Sequence, residues 1–187
     1  MKRSVTALVI VLVGLPGCNR DLASRGGAGQ IDVRWTGSER GRLAGRATAE
    51  WCPVLRLLEL RAIRGDTGVA LAIYPADTIT AGQYRIIDPA KAESLPPAAG
   101  IALRWATQIA VKGFQGESGS VALNRSGSGE LSGRITAAAR SVTDTQRVTI
   151  DGSFRDLMIR RQTRGCARPS KHPDEDEDAQ PSDTQLH

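Results

Sequence analysis

From residue 31 onward the chain is written in short runs in which apolar and polar residues alternate, separated by glycine-rich breaks. An apolar residue at every second position lies on one face of an extended strand, whereas a helix needs a period near 3.6. Ile31, Val33 and Trp35 alternate with Asp32 and Arg34. Leu43, Gly45, Ala47, Ala49 and Trp51 alternate with Arg46, Thr48 and Glu50, so the second run reaches Cys52. After Pro53, Leu55, Leu57, Glu59, Arg61 and Ile63 occupy one face and Leu58, Leu60 and Ala62 the other. RGDTG predicts a tight turn into the partner strand VALAIYP. GQYRIID is a further strand, closed by Asp88 and Pro89, where aspartate caps and proline starts a short helix that ends before Pro96. Ile101, Leu103 and Trp105, then Ile109 and Val111, bracket a turn at Ala106 and Thr107, which favours strands over a helix there. GESGS at 116–120 reads as a hairpin turn. SVALNR, SGSG and LSGRITAAAR form the clearest hairpin, and RVTIDGSFRDLMIRR is the last strand, with Gly152 as a bulge or bend. The expectation is an all-β protein, an antiparallel β-sandwich or barrel of about eight or nine strands with at most one short helix.

Ahead of this body, Lys2 and Arg3 precede an apolar run at 5–13 and a small-residue segment at 14–17, the layout of a secretory signal peptide. The run falls short of the ~20 residues a spanning helix needs. Its end, Leu15-Pro16-Gly17-Cys18, resembles the lipobox of bacterial lipoproteins, with a branched apolar residue three before the cysteine and a small one just before it. Pro16 departs from the small or hydroxylated residue usual at that place. The resemblance implies cleavage after Gly17 and lipid on both the Cys18 thiol and the new amino terminus. Two or more acyl chains hold a protein stably on a membrane. The alternative is ordinary secretion, with Cys18 merely near the cleavage site. Asn19 replaces the aspartate that commonly marks inner-membrane retention, which directs the expectation to the cell envelope and, in a Gram-negative cell, to the outer membrane. The closing pattern of SVALNR, LSGRI and DGSFRDL also resembles small uncharacterised β-rich bacterial lipoproteins, a likeness that carries no activity.

The expected organisation is a signal peptide at 1–17, lipidated Cys18 with a flexible tether at 18–30, an all-β domain at 31–166 and a disordered acidic tail at 167–187. Of 25 basic and 20 acidic residues, 21 basic and 14 acidic lie in 18–166, whereas the tail has two basic and six acidic. A basic body favours anionic envelope components, with Arg155, Arg160, Arg161 and Arg164 as candidate anion-binding residues. Nucleic acid is disfavoured, because the arginines are scattered and no binding motif accompanies them. Heavy arginine use also fits a GC-rich genome. With Cys18 taken by lipid, Cys52 and Cys166 remain, and an even pair in an oxidising compartment reads as a disulfide clasping the domain.

Little in the chain advertises chemistry. His172 and His187 are the only histidines, and both lie in the tail, which removes the usual general base from the body. No metal site and no cofactor are expected. Asp66, Asp77, Asp88, Asp144, Asp151 and Asp156 could supply a carboxylate pair, but most read as turn residues. The acidic run DEDED at 174–178 lacks the loop of a specific calcium site. It could fold onto the arginines, although a solvated tail is the plainer reading. Function is therefore expected to be that of a lipid-anchored, non-catalytic interaction or structural module. The alternative is a lipocalin-like carrier, with Ala47, Ala49, Ala70, Ala72, Ala102 and Ala110 leaving room inside; a hydrolase using a carboxylate pair comes last.

Overall fold

The computed structural model describes residues 29–162 and Cys166; Cys18, Arg164, the leader, most of the tether and the tail from 167 lie outside the described residues. Nine strands and one helical turn are described: β1 (Gly29–Gly37), β2 (Gly41–Cys52), β3 (Leu57–Arg64), β4 (Thr67–Tyr74), β5 (Gly82–Ile86), α1 (Pro89–Ala92), β6 (Ala98–Ala106), β7 (Val111–Arg125), β8 (Glu130–Ser141) and β9 (Arg147–Arg161). They form one sheet in the order β1-β2-β3-β4-β6-β5-β7-β8-β9, and β9 returns to pair with β1, so the sheet closes in a ring. The all-β expectation holds, and the first strand takes in Gly29 and Gln30 from the expected tether.

The alternation read from the sequence decides which side chains face inward. Val33, Leu43, Leu58, Leu60, Leu71 and Ile73 are fully buried, and they join Ile101, Leu123, Ile135 and Phe154 in one continuous core. Each such side chain contributes about 1.5–3 kcal/mol on burial. Trp35 stacks on Trp105 and Trp105 on Phe114, with centroids 5.4 and 5.2 Å apart. The outward positions are polar: Asp32, Arg34, Arg42, Arg46, Thr136, Asp151 and Ser153 alternate with the buried set.

Local signals with a chemical mechanism are realised. Arg64 pairs with Thr67 around a two-residue turn in which Gly65 takes φ +55°. Asp88 Oδ1 accepts a 3.0 Å hydrogen bond from Ala90 N and Pro89 opens α1. The β7–β8 hairpin turns through 126–129.

Four expectations are corrected. Residues 116–120 are not a turn but lie within β7, which passes there from pairing with β6 to pairing with β5 and slips register against β8 between Gly116 and Ser118. A Cβ at Gly116 would stand 2.6 Å from Ile101 Cγ2, so this glycine serves a close packing contact. Gly152 is not a bulge either. Its register with Val33 and Ile135 is unbroken, and a Cβ there would lie 2.7 Å from Val33 Cγ2. The irregularity in β9 falls at Asp156, whose φ is +57°. Ile109 is 95% exposed in the β6–β7 turn, which is closed by Thr107 and Ala110. Finally, the sheet is not wholly antiparallel, since β5 pairs with β6 and β2 with β9 in parallel.

That last pairing explains the clasp. β1 fills the space between β2 and β9 only from Gly29 onward. Beyond it, Ala49, Glu50 and Trp51 pair directly with Ile159, Arg160 and Arg161, and Gln162 N donates to Trp51 O at 2.9 Å. Cys52 and Cys166 continue this seam as a disulfide, with Cα atoms 5.4 Å apart.

Candidate anion-binding cleft

The β2–β1–β9 face carries a cleft of about 520 Å³ lined by Gln30, Asp32, Arg42, Arg46, Ser153 and Arg155, with Ala44 and Gly45 among its apolar walls. Register builds it. Gln30 stands directly between Arg46 on β2 and Arg155 on β9, so two arginines flank one glutamine. With neighbouring strands about 4.8 Å apart, their Cα atoms are separated by about 10 Å. Ala44, on the outward face between Arg42 and Arg46, keeps that stretch of the lining small.

Alternation places Arg155 here, in phase with outward-facing Asp151 and Ser153, and the bulge in β9 begins just beyond it at Asp156. Leu131 pairs with Leu157 and Gly133 with Phe154, so three residue steps on β9 oppose two on β8, and Arg155 and Asp156 are both exposed. β1 accommodates this with Gly29, whose Cβ would collide with the Arg155 and Asp156 backbone. Bulges of this kind leave the extra residue unpaired and bend the strand.

The charges in the cleft are unequal in availability. Arg42 grips Asp32 with two hydrogen bonds, Nε to Oδ1 at 2.8 Å and Nη2 to Oδ2 at 2.5 Å. That hydrogen-bonded pair holds the Asp32 carboxyl below its ordinary value and raises the Arg42 guanidinium. Arg155 donates from Nη2 to Gln30 Oε1 at 2.7 Å and lies 3.9 Å from an Asp156 oxygen. Arg46 makes no hydrogen bond or ion pair among the described residues. The lining thus carries three guanidiniums against one carboxylate, and a guanidinium fork suits phosphate or carboxylate oxygens.

Of the four arginines singled out in the sequence, only Arg155 lines this cleft. Arg160 pairs in register with Glu50 and Arg161 with Trp51 farther along the seam, and Arg164 lies outside the described residues. Gln30, Arg42, Arg46 and Ser153 escaped notice because they are far apart in sequence; alternation marks each as outward-facing, but only strand pairing makes them neighbours. The carboxylates also sort differently: Asp88 and Asp144 are turn or cap residues, whereas Asp151 and Asp156 lie within β9.

The alanines expected to leave space inside do so only in part. Ala47 and Ala49 are buried, but Ala102 and Ala110 are exposed, and half-buried Ala70 and Ala72 alternate with buried Val69, Leu71 and Ile73. Ala70 and Ala102 instead line an outer groove of about 260 Å³ with Arg61, Ile63, Gly68 and Arg104. No family model matches the sequence, and neither a curated protein nor a solved structure matches it.

Proposed function

We propose that this protein is a non-catalytic interaction module of the cell envelope, carried on lipid at Cys18 and binding an anionic envelope component through the Arg46–Gln30–Arg155 cleft. In a Gram-negative cell its place is the outer membrane. The observation that carries the reading is the division of the ring: the interior is a continuous apolar core, while the outer face holds a cleft with more guanidinium than carboxylate. Binding therefore belongs outside the ring. The carrier reading loses most of its support, because four of the six alanines invoked for it do not face the core. A hydrolase would need a paired acid and base, and the carboxylate in the cleft is committed to Arg42.

The lipobox and the fold support anchoring together, since β1 begins at Gly29, ten residues beyond Asn19, leaving a short tether between lipid and domain. Two measurements test the proposal. Cys18→Ser should abolish incorporation of a labelled fatty acid and release the protein from membranes; a variant still labelled at its amino terminus overturns the anchor. The full chain should bind inorganic polyphosphate with an affinity that falls as salt rises, and Arg46→Ala should weaken it about tenfold, the range of a charge-assisted contact. Equal binding by the variant overturns the cleft.

A further inference from the structure

The cleft also holds groups for which a bare anion has no use. We infer that its ligand is an anionic saccharide, a chain of hydroxyl-bearing rings that carries carboxylate or phosphate groups; this inference rests on reading the cleft as an anion site.

Strand register sets the outward side chains of β2, β1 and β9 in two rows. The first is Arg46, Gln30 and Arg155, and the second, two residues along each strand, is Ala44, Asp32 and Ser153. The rows stand about 6.6–6.8 Å apart, and within each row neighbouring strands are about 4.8 Å apart. Two cations therefore flank an amide, and beside that amide sit a carboxylate and a hydroxyl. Gln30 Oε1 accepts from Arg155, which leaves its amide nitrogen as a donor for a ligand. Ser153 is exposed on the cleft lining, and its hydroxyl has no partner among the described residues.

Asp32 decides the class. A site meant for dense negative charge gains nothing from a carboxylate in the middle of its lining, because that charge repels the ligand. The carboxylate is nevertheless accessible, with 39% of its side chain exposed, and Arg42 fixes its orientation with one hydrogen bond to each oxygen. An ionised carboxylate has about four lone-pair sites, so two remain for donors from outside the protein. An ammonium would suit that carboxylate but not the three guanidiniums around it. A hydroxyl suits both. Ala44, across Asp32 from Ser153, offers a methyl group to the carbon face of a ring. A saccharide with its anionic groups toward Arg46 and Arg155 and its hydroxyls over Asp32 and Ser153 satisfies both rows, whereas polyphosphate satisfies only the first. Because the lining is open to water, which replaces lost partners, the discrimination is several-fold and not the orders of magnitude of an enclosed site.

The test uses the full-length, disulfide-bonded chain and three variants, R46A, D32N and S153A. Each is titrated at about 0.02 M and 0.5 M salt with an oligogalacturonate, whose rings carry carboxylates, with a phosphorylated mannan oligomer, whose rings carry phosphate, and with inorganic polyphosphate, which has no rings. At least one saccharide should keep measurable affinity at the higher salt, where polyphosphate binding is lost, and the tighter of the two identifies the anionic group. S153A should weaken that saccharide about threefold to tenfold, and at least about threefold more than polyphosphate. D32N should act in opposite directions, raising polyphosphate affinity about twofold to fivefold and lowering that of the saccharide about threefold. If neither saccharide binds, or if either variant changes saccharide and polyphosphate affinity by the same factor, the saccharide reading is overturned. R46A then separates the two claims: weaker polyphosphate binding by R46A leaves the anion cleft standing, and binding equal to the parent's removes the cleft as well.

Discussion

Asp32 shows how one residue sets the charge of the cleft. Its two hydrogen bonds from Arg42 depress its pKa, so the pair is intact above the ordinary carboxylate value of 3.8 and is lost as pH falls through the lower folded value. Asp32→Asn frees Arg42 and removes the one carboxylate from the cleft lining, and polyanion affinity should rise about twofold to fivefold. With a sulfonate polymer as probe, that advantage should stay constant from neutral pH down to about 5 and close only in stronger acid, where Asp32 itself protonates. A gap that closes near neutrality would assign the effect to another group. Gly152 is the second instructive residue. Gly152→Ala should lower stability by about 1–3 kcal/mol in urea unfolding, because the new methyl would press on Val33 Cγ2 and on the Asp32 carbonyl oxygen, 2.8 Å away.

At the scale of elements, the β2–β9 seam organises stability and the β2–β1–β9 pairing the cleft. The disulfide spans 114 residues, for which the chain-entropy account gives about 4–5 kcal/mol. Cys52→Ser should therefore unfold at clearly lower urea concentration than the oxidised parent, and reductant should bring the parent close to the variant; if reductant leaves the parent unchanged, the clasp does not stabilise the fold. The hairpins at 64–67 and 125–130 were legible in the sequence because turn chemistry is local: a glycine taking positive φ at 65 and at 129 marks the reversal wherever it occurs. Gly116 and Gly152 carry the same residue type for a different reason. There glycine removes a side chain where another element passes close, and only knowledge of that other element separates the two uses.

At the scale of the molecule, the ring places its apolar side chains in two classes. Phe154 is 2% exposed in the core, and Phe154→Ala should cost about 3–5 kcal/mol. Ile109 at the tip of the β6–β7 turn is equally apolar in sequence, yet Ile109→Ser should leave stability within about 0.5 kcal/mol by the same urea measurement. Ile109 and Val111 lie near the β6–β7 turn, while β1 begins and β9 ends at the opposite end, where Cys52 and Cys166 join.

Sequence alone determined that the chain is all-β, where most strands and tight turns fall, and which two cysteines could meet, because period-2 patterning, turn residues and cysteine count are properties of neighbouring residues or of composition. The ring closure, the parallel seam and the Arg46–Gln30–Arg155 row were decided only by the tertiary structure. Those features depend on register between strands more than a hundred residues apart: Gln30 reaches Arg155 because β9 returns to β1, and Arg46 joins them because β1 pairs along its other edge with β2. Alternation specifies which face a side chain takes, but carries no information about which strand will lie beside it.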